Sequence, residues 1–278
     1  MQKGFSLVEL SIVLVILGLL TGGVLAGQSL IRAAEIRKLG TEAKHYQTAV
    51  YAFRDKYFAL PGDMGNATAF WGTAGGDGQN NTCKQTATTD GSTCNGNTDG
   101  AVGGWVDYSV GTPIATIFSN AGESVRFWQH LANAGMIEGG FDGQNFASLT
   151  DGTVAGADDE NAPRSPIGNS YWMPESRFDY AGDANVFASS SDLGLLVVPH
   201  RDEIAGWGYL YQPEAQIIKP EEAYNLDEKM DDGFPATGKV QAQKTDCTDV
   251  SGAAPPGDAD AEYVYASQEF VCGLRFLF

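Results

Sequence analysis

The sequence predicts an α+β protein built on one long N-terminal helix, followed by short strands set among large polar loops. Three observations carry that reading. Phe5 to Ala26 is almost wholly apolar, without Lys, Arg or Asp, and is long enough to cross a hydrocarbon core of about 30 Å as a helix. Helical periodicity then continues into a charged stretch, where Leu39, Ala43, Tyr46, Val50, Phe53 and Tyr57 recur at alternating spacings of four and three and make one apolar face. Further on, short aromatic or aliphatic runs are bounded by Gly, Pro and Asp, as strands are.

Taken in order, the first helix is expected from Phe5 to about Phe58, roughly 80 Å at 1.5 Å per residue. Arg32, Glu35, Arg37, Lys38, Glu42 and Lys44 decorate its other faces, and Leu60-Pro61-Gly62 stops it. Gly18, Gly22, Gly23 and Gly27 each weaken it by about 1 kcal/mol relative to Ala. Lipid hides that cost, because it does not tolerate unsatisfied backbone. Two readings of these glycines stand: local melting once the helix leaves lipid, or close helix–helix contact through small residues. Ala59 to Gly104 is dense in Gly, Asn, Thr and Asp, with Phe70-Trp71-Gly72 folding back onto the globular part and Gly75 to Gly100 forming an exposed loop. A second helix is expected over Ala121–Glu138, with Val125, Trp128, Leu131 and Gly135 as its buried stripe and Gly139-Gly140 as its end. His130 reads as a surface or internally satisfied histidine. A polar loop, Gly140 to Gly168, follows, and its Asp158-Asp159-Glu160 reads as a solvated charge cluster. Strands are expected at Ser170–Tyr180, Val186–Ser189, Leu193–Pro199 and Trp207–Gln212, then a short helix from Pro220 to Met230 with proline and acids in its first turn. A final strand runs from Tyr263 to Phe278.

One charge interrupts the apolar run. Glu9 lies four positions inside it, where a carboxylate costs on the order of 2.5–3.5 kcal/mol, so it reads as functional and in need of a partner. Lys3 keeps the short segment before the run on the cytoplasmic side. A secretory signal would place its small residue after the apolar core; here Gly4 precedes it. Gly4-Phe5-Ser6-Leu7-Val8-Glu9-Leu10 resembles the processing motif of type IV pilins and type II secretion pseudopilins. The resemblance implies cleavage between Gly4 and Phe5 by a prepilin peptidase, N-methylation of the new Phe5 amine and retention of the apolar helix. It implies a pilin-like fold, with the long helix laid against an antiparallel sheet that carries large loop insertions. It also makes Glu9 an assembly residue, the counter-charge to the Phe5 amine of a neighbouring subunit. The chain then divides into a leader (1–4), a transmembrane helix (5–27), its amphipathic continuation (28–58) and an extracytoplasmic head (59–278). Two further stretches resemble parts of pilin-like proteins: Phe53 to Met64, a helix-to-loop junction, and Asn225 to Gly238, a recurring element of the head.

Lys and Arg number 17 against 35 Asp and Glu, a formal net charge of −18, and removal of Lys3 makes the product one unit more negative. Such a head repels nucleic acid and stays soluble until assembly. The four cysteines, Cys83, Cys94, Cys247 and Cys272, all follow the apolar run and allow three pairings. Local pairing, Cys83–Cys94 and Cys247–Cys272, closes one segment each and suits a head outside the cytoplasm. Zinc is the competing reading, but there is no CxxC, and His45, His130 and His200 are scattered. No cofactor is required. Calcium is the one candidate, at two places. Asn95, Asn97 and Asp99 followed by Gly100 match the first half of a calcium loop whose twelfth position is Val106 rather than Glu; turn-forming residues explain the same pattern. Asp227, Asp231 and Asp232 are the second place, by resemblance to pseudopilins that bind calcium near their C-terminal sheet.

No nucleophile elbow, metal-type His pair, P-loop or dinucleotide fingerprint occurs, so no enzyme is expected. The expected function is structural: a subunit of a type IV pilus or a type II secretion pseudopilus, held in the inner membrane with its head in the periplasm and then built into a filament. A length of 278 residues with long loops favours a minor or specialised subunit. Implied partners are other pilins or pseudopilins, the prepilin peptidase, an inner-membrane assembly platform and membrane lipid. The rival class is a membrane-anchored periplasmic binding protein or enzyme.

Overall fold

The structure, a computed structural model, describes residues 6–78, 83, 86–102, 121–144, 159–176, 193–199, 217–242, 246–249 and 261–278. The expected strands at 186–189 and 207–212, residues 177–180 of the first expected strand, Gly4, Phe5, Asp158 and His200 lie outside the described residues.

Helix α1, Leu7–Tyr57, is continuous over 51 residues, about 77 Å. Its end comes where expected. Phe58 caps it in the left-handed region at φ 54° and donates its N–H to the Arg54 carbonyl, and Leu60-Pro61-Gly62 follows. The apolar face read from periodicity is the face that packs: Leu39, Ala43, Val50 and Phe53 are buried, with Tyr46 and Tyr57 partly so. Two residues placed on the polar faces turn inward instead. Arg32 pairs with Glu222, and Glu42 accepts the indole N–H of Trp172 at 2.9 Å.

After the short helix α2, Ala67–Trp71, comes α3, Ala121–Asn133. Helix α3 departs from the sequence expectation in two ways. Residues 122–131 are buried all the way round, polar ones included, rather than along one stripe. The helix also ends well before Gly139. Gly135 takes φ 71° and donates to the Ala132 carbonyl while the Met136 N–H reaches Leu131, which is a Schellman cap. Gly135 is therefore an exposed cap residue, not part of the buried stripe.

The sheet is antiparallel throughout, with strands β1 (Ser170–Glu175), β2 (Gly194–Pro199), β3 (Val240–Ala242) and β4 (Leu274–Leu277) in the order β1-β2-β4-β3. The final strand is much shorter than Tyr263–Phe278, because Tyr263 and Cys272 make only isolated bridges, to Thr248 and Ile218. Strand β3 was not anticipated: three residues give too little alternation to stand out. Helix α1 meets α3 and the sheet through aromatic edges, the Tyr46 ring lying 4.9 Å from Trp128 of α3 and 5.7 Å from Trp172 of β1. The α+β architecture, a long N-terminal helix followed by a small antiparallel sheet, is thus the one the sequence describes.

Helix α4, Pro220–Met230, lies beside α1, with Glu222 at the level of Arg32 and Met230 at the level of Gly40. Gly40 permits this approach, since a Cβ there would stand 2.8 Å from the Met230 sulfur. Cys83 is bonded to Cys94 and Cys247 to Cys272, with Cα separations of 5.9 and 5.0 Å.

Candidate functional site

The N-terminal end of α1 is built by a capping box. Ser6, with extended backbone, accepts the Val8 N–H on its hydroxyl at 3.3 Å, and Glu9 reaches back to accept the Ser6 N–H at 2.8 Å. This satisfies two donors that a helix start leaves open and places a negative charge at the positive end of the helix dipole. Ser6-x-x-Glu9 is a capping signature legible in the sequence, and it gives Ser6 and Glu9 a role beyond the assembly role expected of Glu9. Within the single chain, Glu9 therefore has a local occupation.

Beyond that cap the helix is bare. Its most apolar stretch has none of its residues buried, and it is the one described helix long and apolar enough to cross a membrane. Its hydroxyls turn back on their own turn, Ser11 to Val8, Thr21 to Leu17 and Ser29 to Ala26, which leaves no unmet donor to face lipid. A Cβ at Gly18, Gly22, Gly23 or Gly27 would meet nothing within 4 Å. The fold of one chain does not require these glycines.

At the foot of the head, the Arg32 guanidinium donates to both oxygens of Glu222, at 2.9 and 2.7 Å, and to the Ile217 carbonyl at 2.7 Å. Burial pushes the Glu222 carboxyl upward, but hydrogen bonds from Arg32 and the Lys219 N–H outweigh it and hold the group below its ordinary range. This bidentate pair locks α1 to α4 just beyond the apolar run.

Among the described residues two groups of carboxylates converge, each with one oxygen per residue within 4.8 Å of the others. In the first, Asp63 takes the Asp99 and Gly100 N–H groups and Glu123 takes the Asn97 N–H. Burial raises the Asp63 carboxyl, against the hydrogen bond from Gly100. Of the half-motif read in the sequence, only Asp99 joins this group. Asn95 caps α2 through the Thr68 N–H, and Asn97 closes a turn on the Asp99 N–H. Asp63 and Glu123 had no local signal, since they come from the end of the α1 junction and from α3.

The second group is Asp227, Asp231 and Asp232, which the sequence placed together. Asp227 is buried and accepts the Tyr263 hydroxyl at 2.8 Å and the Gly233 N–H at 3.3 Å. Burial, reinforced by Asp232 and Asp231, pushes its carboxyl up to about 7. Asp231 accepts the Lys239 N–H, and Asp232 takes the Phe234 N–H and the Thr237 hydroxyl. An oxygen-only donor set of this charge fits a hard divalent cation such as calcium. There a cation would neutralise three mutually repelling carboxylates and tie the end of α4 to the turn before β3.

His130 is the satisfied histidine of the two readings. Its Nδ1 accepts the Gly62 N–H at 2.9 Å, so Nε2 carries the proton and faces the Thr93 hydroxyl at 3.0 Å and the Cys94 carbonyl at 3.2 Å. Burial first, and then Arg126, push the ring down to about 3, so it stays neutral. Arg126 donates to the Cys83 and Thr86 carbonyls and to Gln129, and burial lowers it to about 10. These buried polar groups hold the disulfide loop on α3. They are construction rather than chemistry, and His45 stands apart on an exposed face of α1.

Residues 1–25 match the family model described as the prokaryotic N-terminal methylation motif. That motif is the signal of type IV pilins and pseudopilins and supports reading the chain as a pilin-like or pseudopilin precursor. No curated protein and no solved structure matches the chain. The motif points to a structural rather than a catalytic protein and implies other pilins and the prepilin peptidase as partners. The apolar helix and the motif together fit a membrane-anchored pilin.

Proposed function

We propose that the chain is a minor or specialised structural subunit of a type IV pilus or a type II secretion pseudopilus. The observation that carries this is the methylation motif over residues 1–25, leading into an apolar helix that the rest of the chain leaves uncovered. Prepilin peptidase removes residues 1–4, residues 5–27 hold the product in the inner membrane, 28–58 continue the helix into the head, and the head, 59–278, faces the periplasm. The two disulfides support an oxidising compartment for the head. The assembly platform draws the subunit from lipid into a filament. There the methylated Phe5 amine meets Glu9 of a neighbour, and only one axial stagger brings them together. Mass spectrometry of the membrane-extracted product tests this: an N-methylated Phe5 terminus is expected, and Met1 or an unmethylated downstream start overturns the reading. A bulky residue at Gly4 leaves full-length precursor in the inner membrane, because the peptidase must accept that bond in an extended form.

Calcium at Asp227, Asp231 and Asp232 is a second proposal, favoured by the convergence of three carboxylates. It is a stabiliser of the head and no part of the assembly step.

A further inference from the structure

The lipid-exposed part of α1 and the head meet at a narrow collar. Leu30 and Ile31 are as exposed as the apolar residues before them, and Arg32 is held by the head. Arg32 stands 27 positions beyond Phe5, about 40 Å along the helix. A bilayer measures about 40–45 Å including its polar layers, of which about 30 Å is hydrocarbon. A helix that begins at one face with Phe5 therefore brings Arg32 into the headgroup layer of the other.

The head delivers an aromatic ring to that level. The guanidinium carbon of Arg32 lies 5.1 Å from the centre of the Phe270 ring, and the Lys219 ammonium lies 5.6 Å from it. The ring is nevertheless 51% exposed. Its position is firmly set: Cys272, two residues on, is bonded to Cys247 and exchanges backbone hydrogen bonds with Ile217 and Ile218. Tyr265, also half exposed, packs edge-on against Tyr224 of α4.

We propose that Phe270, flanked by Lys219 and Arg32, is a foot by which the head rests in the phospholipid headgroup layer of the membrane that holds α1. This rests on the membrane-anchored reading above. Lipid is the occupant because α1 and the head are locked by the Arg32–Glu222 pair, so a spanning helix keeps the foot against the bilayer and no separate encounter is needed. The chemistry suits it. An aromatic ring gains by leaving water for the interfacial layer, where aromatic belts form, and a lysine stem covers apolar surface while its ammonium reaches phosphate. Arg32 is already neutralised by Glu222, so the contact depends little on the charge of the lipid. Seating the head fixes its tilt before assembly, and extraction into a filament must break the contact.

Fluorine NMR on the full-length protein in nanodiscs of phosphatidylethanolamine and phosphatidylglycerol tests it, with 4-trifluoromethyl-phenylalanine introduced singly at Phe270, Phe58 or Leu17. Phe58 is the control, 92% exposed and about 39 Å further along α1. A nitroxide on the lipid headgroup is expected to erase most of the Phe270 signal and leave that of Phe58 sharp; a nitroxide on the acyl chain erases that of Leu17. A Phe270 signal as sharp as that of Phe58, with Leu17 erased, overturns the foot and leaves the anchor standing. A sharp Leu17 signal overturns the anchor and the foot together.

Discussion

Two helices of this chain follow opposite rules. The first half of α1 is almost wholly apolar and, among the described residues, stands uncovered, whereas α3 carries Glu, Ser, Arg, Gln and His into full burial. Hydrophobicity alone would assign these fates the other way round. The difference lies in what each helix was composed for. The bare half of α1 answers to surroundings outside the chain, so its one charged residue, Glu9, and its four glycines find no tertiary reason among the described residues. The long polar side chains of α3 have addresses inside: Arg126 on the Cys83 and Thr86 carbonyls, Gln129 on Thr88 and Asp142, His130 on Gly62.

The contrast predicts that substitutions in the two helices fail in different assays. The largest effect is expected at Glu9. Removing one member of an amine–carboxylate pair strands the other for about 3–5 kcal/mol, so Glu9→Ala drops out of filaments co-assembled with wild-type subunits while the head melts normally. Glu9→Gln keeps an oxygen for the Ser6 N–H and so keeps the cap, but it loses the charge. It too is expected to be excluded, and equal incorporation of this variant would reduce Glu9 to a helix cap.

In α3 the failure is of folding. Arg126→Met removes one donor each from the Cys83 and Thr86 carbonyls and from the Gln129 oxygen, at a cost of roughly 3 kcal/mol in urea unfolding. Protection of the Cys83–Cys94 loop against hydrogen exchange falls with it; an unchanged midpoint would show that the loop does not depend on α3.

Glycines sharpen the same contrast. Gly62 has φ +83°, and a Cβ there would press on the Glu123 carbonyl, which is backbone and cannot swing aside. Gly62→Ala is expected to cost roughly 2 kcal/mol. Gly23→Ala, with open space around it, leaves the melting of the head unchanged; a drop there would mean that α1 packs on something in the chain after all.

His130 contributes one pH dependence, opposed between about pH 4 and 7 by Asp227, whose carboxyl burial raises to about 7. Unfolded, His130 titrates near the ordinary value of about 6.5; folded, it is held to about 3. Between these values the unfolded chain binds the extra proton. Its contribution is therefore fully present above about pH 6.5 and is lost as pH falls toward 3, with a slope of up to about 1.4 kcal/mol per pH unit. His130→Gln is less stable at neutral pH but loses less stability than the wild-type protein as pH falls, and parallel curves for the two proteins would contradict the buried neutral ring. The smallest effect concerns calcium: millimolar calcium is expected to raise the melting temperature by a few degrees. The double change Asp231→Asn, Asp232→Asn should remove that rise, and no rise in the wild-type protein discards the site.

Much of the architecture was legible because it is written in local pattern. The period of Leu39 to Tyr57 named the packed face of α1, Pro220 with two acids opened α4, and Gly4-Phe5 with Glu9 and an unbroken apolar run marked the N-terminal signal. These depend on residues near one another in the chain, where helix geometry and turn chemistry act directly. Tertiary structure alone decided what joins distant segments. It turned Arg32 toward Glu222 and Glu42 toward Trp172, buried α3 on every side, brought Asp63 and Glu123 beside Asp99, and placed Phe270 at the level of Arg32. A polar residue's fate depends on whether a partner arrives from elsewhere in the chain, and no periodicity records that arrival.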